Sequence, residues 1–279
     1  INGNGIPDYV DEVGIMADSV HHVLVDLMGY EEEPFDGDGG YDIYIMSYSG
    51  GVYGYNYKDN GKASYLQIDN DYLGFDSKFN LPPIQIMRIS LAHEYFHGIQ
   101  WGYEDNHVPN EYFYEMTSMW FEDVLIPDGN DYLDGWADPL LDNPTADFDN
   151  TGKGYELALF GHYLSSFIDE KGIEDAKEST IMREIWERYR DNSGSAFSAV
   201  QYILQDPTKT YNIPFIEAWV DFISRNLYNG IYENMDNPFY YYIDQSIVDP
   251  ILTSTTLLSD SSEFVLELDD ESATIESFR

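Results

Sequence analysis

Cysteine is absent from the 279 residues. That excludes disulfides, thiol catalysis and thiolate metal ligation, so any metal must be held by His, Asp, Glu or carbonyl oxygen. Basic residues are scarce: 13 Lys and Arg stand against 52 Asp and Glu, a formal net charge of −39. Nucleic acid and anionic lipid repel such a polyanion, which argues against both as partners. No apolar run approaches the roughly 18–20 residues needed to span a bilayer. The acidity does not imply disorder, because hydrophobic residues make up 43% and aromatics 16%, enough to bury a core. Length predicts one domain built from two lobes, or one domain plus a fragment. A chain starting at Ile1 reads as a mature or trimmed form, and the acidic balance suits a salty or calcium-rich extracellular medium.

Apolar residues recur at helical spacing from Tyr9 to Met28, with Pro7 ahead and Gly29 behind. Residues 41–48 alternate like a strand, 63–69 read as another, and 50–55, Gly-Gly-Val-Tyr-Gly-Tyr, read as an edge strand or a hairpin. Helices are expected at 84–101 and 111–125, followed by a long Asp-rich loop, 128–154. Further helices are expected near 155–170, 175–191, 195–205 and 214–228, and the tail from Ile251 alternates like strands. Strands mixed with helices first and helices alone later predict an α+β fold.

The informative segment is Leu91-Ala-His-Glu-Tyr-Phe-His-Gly-Ile-Gln100. It places His93 and His97 four residues apart, on one face of a helix, where both imidazoles can reach one ion. Glu94 lies beside that face as a candidate general base. The next helix carries Glu111, Glu115 and Glu122. Glu115 shares a face with Glu111 and also with Glu122, so spacing alone leaves the third ligand open.

This arrangement resembles the gluzincin group of zinc metallopeptidases, in which an H-E-x-x-H helix is followed about twenty residues on by a ligand Glu, often with a second Glu seven residues later. Glu115 is 18 positions after His97, and Glu122 seven after Glu115. The resemblance implies Zn²⁺ held by His93, His97 and Glu115, Glu94 as general base, and Glu122 orienting a ligand imidazole. Met119 departs from thermolysin-like members, which have Asp there. Asn-Gly-Ile-Pro-Asp-Tyr-Val near the start, Tyr-Asp-Ile-Tyr-Ile, Ile68-Asp-Asn-Asp-Tyr72, the zinc motif and Tyr155-Glu-Leu-Ala-Leu-Phe together look like a poorly characterised group of secreted bacterial metalloproteases. The likeness spans about 1–230. It implies a two-lobed zincin-like fold over 1–250, with a small N-terminal sheet and active-site helix in an upper lobe (about 1–102), a mainly helical lower lobe (about 103–250) and an active site between them. Residues 251–279 read as a strand-rich tail or the start of a further β domain. A secreted metalloendopeptidase acting on protein or peptide follows, with Tyr155 or His162 as the donor to the oxyanion.

Other features have alternative readings. Asp36, Asp38 and Asp42, and separately Asn2, Asn4, Asp8 and Glu12, are oxygen-rich loops that could hold Ca²⁺ or be solvated turns. Asp69 and Asp71 either bind calcium or cap a turn. Adjacent His21 and His22 point about 100° apart and cannot pair on one ion; His107 reads as a loop residue. Lys171, Lys177, Arg183, Arg188 and Arg190 read as a solvated helix face, and Phe239–Tyr242 as core packing. The rival to an enzyme is a catalytically inactive or calcium-dependent surface binding module on the same scaffold.

Overall fold

The computed structural model describes residues 3–278 apart from 35, 38, 50, 60, 76–79, 105–109, 145–146, 150–153, 173–174, 193, 233–237, 252–262 and 269–272. Asn2, Asp38 and His107 therefore lie outside the described residues. The fold is α+β and mostly helical, with a small three-stranded sheet. The chain divides into two compact units. One comprises Ile1–Pro109 and Thr117–Asp134, the other Asn110–Met116 and Gly135–Arg279.

In the first unit, α1 (Asp8–His21) starts after Pro7 and continues as a π-helical turn, His22–Leu27. Gly29 closes it at φ 77°, a left-handed conformation that glycine adopts without a Cβ clash. The sheet follows, built from β1 (Ile43–Met46), β2 (Gly54–Lys58) and β3 (Ser64–Asp69). Its order is β1-β3-β2: β3 is central, parallel to β1 and antiparallel to β2. One face of β3, Ser64, Leu66 and Ile68, is buried. The edge-strand reading of 50–55 shifts to 54–58, because Gly54 is where pairing with Ile68 begins.

Helix α2 (Pro83–Tyr103) begins with Pro in its first turn and is buried around most of its circumference, from Ile86 to Tyr103. Such a helix is a core element rather than an amphipathic surface one. It lies close under the sheet. A Cβ on Gly98 would collide with the Tyr41 hydroxyl, which is hydrogen-bonded to Ser64 Oγ at 2.8 Å. Asn56 on β2 donates from Nδ2 to the Glu94 carbonyl and to the Tyr41 hydroxyl, each at 2.8 Å, and its Oδ1 accepts from Trp101 Nε1 at 2.8 Å. Helix α3 (Glu111–Leu125) then follows as one continuous element, as its spacing predicted.

The second unit collects aromatic rings. Phe148 is fully buried and contacts Tyr112, Phe160, Phe197, Phe215 and Trp219 at centroid distances of 5.2–5.7 Å. The Asp-rich loop is thus anchored by a ring rather than free. It also holds the short helices Asp131–Leu133 and α4 (Asp138–Asp142). The single helix expected over 155–170 is instead a 3₁₀ turn (Tyr155–Leu157), α5 (Ala158–His162) and a π turn (Tyr163–Ile168). A physical reason is visible: Ser165 Oγ donates to the Gly161 carbonyl at 3.0 Å, competing with the backbone ladder. Helices α6 (Ile181–Asn192), α7 (Ala196–Leu204) and α8 (Phe215–Asn226) follow. The tail strands β4 (Glu263–Leu268) and β5 (Ala273–Phe278) pair antiparallel.

Tyr241 and Tyr242 are buried, as expected for the aromatic run. Arg183 pairs with Glu187, Arg190 with Asp191 and Lys177 with Asp175, while Arg188 lies over the Tyr202 ring.

Candidate metal centre

Helix α2 presents His93 and His97 one turn apart, with ring centroids 4.7 Å apart and planes at 83°. A ligand atom from each, and one from the Glu115 carboxylate on α3, all lie within 4.8 Å of one another. Among the described residues, no other group of three His, Asp or Glu side chains gathers in this way. Spacing had left the third candidate ligand open among three glutamates; the fold gathers Glu115 with the two histidines.

The histidines are oriented by the chain itself. His93 Nδ1 meets Glu122 Oε1 at 2.6 Å. His97 Nδ1 meets Gln100 Oε1 at 2.7 Å, and Ser118 Oγ lies 3.4 Å away. Gln100 Nε2 donates to Thr117 Oγ1 at 2.9 Å and Ser118 Oγ at 3.1 Å, which turns its carbonyl oxygen toward His97. Acceptors at both Nδ1 atoms keep the protons there and place each neutral ring's lone pair on Nε2. Two imidazoles and a carboxylate, with no thiolate, make a donor set that suits a zinc-like divalent ion, so the residues present fit such a metal.

The carboxylates behind His93 are perturbed. Burial pushes Glu122 up to about 7, while the hydrogen bond and charge of His93 pull it down and Asp131 and Glu94 push it further up. Burial, with Asp134 beside it, raises Asp131 to about 6. Tyr53 donates its hydroxyl to Asp131 Oδ1 at 3.3 Å. A cation on His93 would favour the ionised form of both carboxylates.

Glu94 is buried and faces the edge strand. A Cβ at Gly54 would stand 2.9 Å from Glu94 Cγ and 3.0 Å from the Gln67 carbonyl oxygen. Glycine therefore lets β2 run against the candidate base.

Tyr155 is half-buried and packs edge-on to Trp136, with centroids 5.0 Å apart. The preceding Gly154 is left-handed, at φ 90°, and a Cβ there would collide with the Tyr112 carbonyl oxygen. That contact brings the Tyr155 turn against α3 one turn before Glu115. His162 lies in the interior of the second unit, stacked on Tyr242 at 5.0 Å, and burial lowers it to about 3.

Of the candidate calcium ligands, Asp36 and Asp42 are exposed. Asn4 Nδ2 donates to the Asp11 carboxylate at 2.9 Å, and Glu12 pairs with Arg88 at 3.0 Å. Asp69 caps a turn: its two oxygens accept from the Tyr48 and Tyr72 amides at 2.9 and 3.0 Å. Asp71 accepts from the Leu73 amide at 2.9 Å. His21 pairs with Glu33 and His22 with Asp26.

Sequence reasoning missed Gln100 and Asp131. Gln100 follows His97 by three positions, the spacing at which helix neighbours meet, so a signal existed. Asp131 sits in the Asp-rich loop with nothing local to single it out. Comparison with family models, with curated proteins and with solved structures finds no match.

Proposed function

We propose that this chain is a zinc-dependent metalloendopeptidase of the gluzincin type, with a zincin-like fold, acting outside the cell on protein or peptide. The observation that carries the proposal is the pair of Nδ1 hydrogen bonds. His93 to Glu122 and His97 to Gln100 orient both imidazoles, on the same helix face that gathers with Glu115. The Asp-rich loop and the charge of −39 agree with an extracellular setting.

When bound, Zn²⁺ supplies Lewis acidity, which acidifies a water toward neutrality and polarises a carbonyl. His93, His97 and Glu115 hold the ion. The Glu94 carboxylate takes a proton from the attacking water and delivers it to the departing amide nitrogen. Glu94 is buried, and the absence of a side chain at Gly54 leaves room for its carboxylate beside β2. Glu122 and Gln100 hold the Nδ1 protons of the two ligands, fixing ring orientation. Tyr155 is the better candidate for donating to the developing oxyanion, because His162 is enclosed against Tyr242 and Tyr155 is half-buried. The antiparallel edge β2 offers backbone groups to an extended substrate.

The test is metal content and caseinolysis of Glu94→Gln. Stoichiometric zinc with hydrolysis abolished is the expected result. Full hydrolysis in that variant refutes the mechanism. Zinc bound without hydrolysis in the unaltered chain favours the inactive binding module instead.

A further inference from the structure

The face of the sheet turned away from α2 carries six side chains: Tyr44 and Met46 on β1, Tyr65 and Gln67 on β3, and Tyr55 and Tyr57 on β2. The registers place Tyr44 and Tyr55 on either side of Gln67, and Tyr57 opposite Tyr65. With Tyr48, just beyond β1, the rings form one connected row. Tyr44 meets Tyr65 at 5.4 Å, Tyr65 stacks on Tyr57 at 5.5 Å and 27°, Tyr57 meets Tyr55 at 5.5 Å, and Tyr55 meets Tyr48 at 5.8 Å. Tyr44 is 48% exposed, Tyr55 44% and Tyr57 39%. Polar groups lie between and beside the rings: Tyr48 donates its hydroxyl to Gln67 Oε1 at 2.7 Å, and Tyr44 to Asp42 Oδ2 at 3.3 Å.

Two features narrow the occupant. None of the six side chains is charged, in a chain with 52 acidic residues. A second copy would bring another −39 toward the first, and nucleic acid or anionic lipid would meet the same repulsion. A neutral ligand incurs no such penalty. Four of the six are tyrosines, which bring rings and hydroxyls, and the other two are Gln67 and Met46. Rings with polar rims suit a ligand that is itself apolar on its faces and hydroxylated at its edges. Pyranose units have that character, and the distance between neighbouring rings is comparable to the length of one unit.

We propose that this tyrosine row is a binding platform for a neutral polysaccharide, separate from the metal centre and on the opposite face of the sheet from Glu94. It would hold the protein on a glycan matrix whether or not the peptidase reading is right.

The test uses the full chain. Retention is measured on microcrystalline cellulose and chitin, and by electrophoresis through gels containing xylan or laminarin, with polygalacturonate as the anionic control. The expected result is retention by at least one neutral polymer and none by polygalacturonate. The triple substitution Tyr44→Thr, Tyr55→Thr and Tyr57→Thr puts β-branched, strand-favouring residues in place of the rings and should weaken retention roughly tenfold or more. Tyrosine to phenylalanine at the same positions keeps the ring faces and should retain most of the binding. Glu94→Gln should be retained like the unaltered chain, which separates this platform from the candidate active site. Three results overturn the proposal: no retention by any neutral polymer, equal retention of the threonine variant, or a concentration-dependent dimer that the threonine variant abolishes, which would give the face to a second copy.

Discussion

Replacing Glu122 by Gln should have opposite effects on the metal-free and metal-loaded protein. In the fold Glu122 titrates at about 7 rather than 4.5, chiefly because it is buried. Between those values the folded chain binds more protons than the unfolded chain, so stability falls as pH rises through the window. At roughly 1.4 kcal/mol per pK unit, the buried charge costs the metal-free protein about 3 kcal/mol by pH 8. Asp131 titrates nearby at about 6, so the apparent midpoints belong to the pair rather than to either residue. Glu122→Gln removes the charge and keeps the shape. Its stability relative to the unaltered chain should therefore improve by about 3 kcal/mol between pH 4 and pH 8, a relative Tm gain of roughly 5–10 °C. Comparing two pH values cancels any fixed cost of burying the amide. In the metal-loaded form the sign reverses, because the neutral amide is a weaker acceptor for His93 Nδ1–H. Affinity should drop by roughly 10–100-fold. Thermal scans of chelator-treated protein at the two pH values, with a chromophoric chelator competition for affinity, measure both. A pH-independent stability difference, or unchanged metal affinity, would refute the reasoning.

Other consequences are as direct. Gln100→Leu removes the acceptor for His97 Nδ1–H at 2.7 Å and should weaken metal binding by roughly 10–100-fold in the same competition assay. Gly54→Ala forces a Cβ to within 2.9 Å of Glu94 Cγ; turnover on casein should fall while zinc content stays stoichiometric, and normal turnover would show that Glu94 yields without consequence. His162, lowered by burial to about 3, contributes stability that is fully present above its unfolded value of about 6.5 and lost as pH falls toward 3, up to about 5 kcal/mol. His162→Phe should flatten that acid limb in urea titrations between pH 7 and pH 4, and an unaltered limb would place the acid sensitivity elsewhere.

The candidate metal centre was the most legible part of the chain. Two histidines four apart on a helix converge through helix geometry alone, and Glu122, seven residues after Glu115, meets His93 as the resemblance implied. The choice of Glu115 over Glu111 needed the fold, since all three carboxylates lie on one short helix. The sheet was legible as two strands, with 50–55 left between an edge strand and a hairpin, but not in its order. Nothing in Tyr44 or Tyr65 announces that β1 runs parallel to β3 with β2 on the far edge, because that depends on a crossover rather than on local pattern. The 155–170 helix was misread as regular because apolar periodicity does not register a serine hydroxyl bonding back to a carbonyl. Asp131 joins the centre only through the path of a long loop, and periodicity is silent about loop paths.

Asn56 is a single amide with both of its donor directions used, to the Glu94 carbonyl and the Tyr41 hydroxyl, and its oxygen accepting from Trp101. The strand that would take up a substrate is thereby latched to the peptide unit of the residue that would move the proton. A displacement of the edge strand would therefore be transmitted to the backbone of Glu94. The same latch confers intolerance: Asn56→Asp keeps the outline but turns a donor into an acceptor facing a carbonyl, converting the coupling into a repulsion.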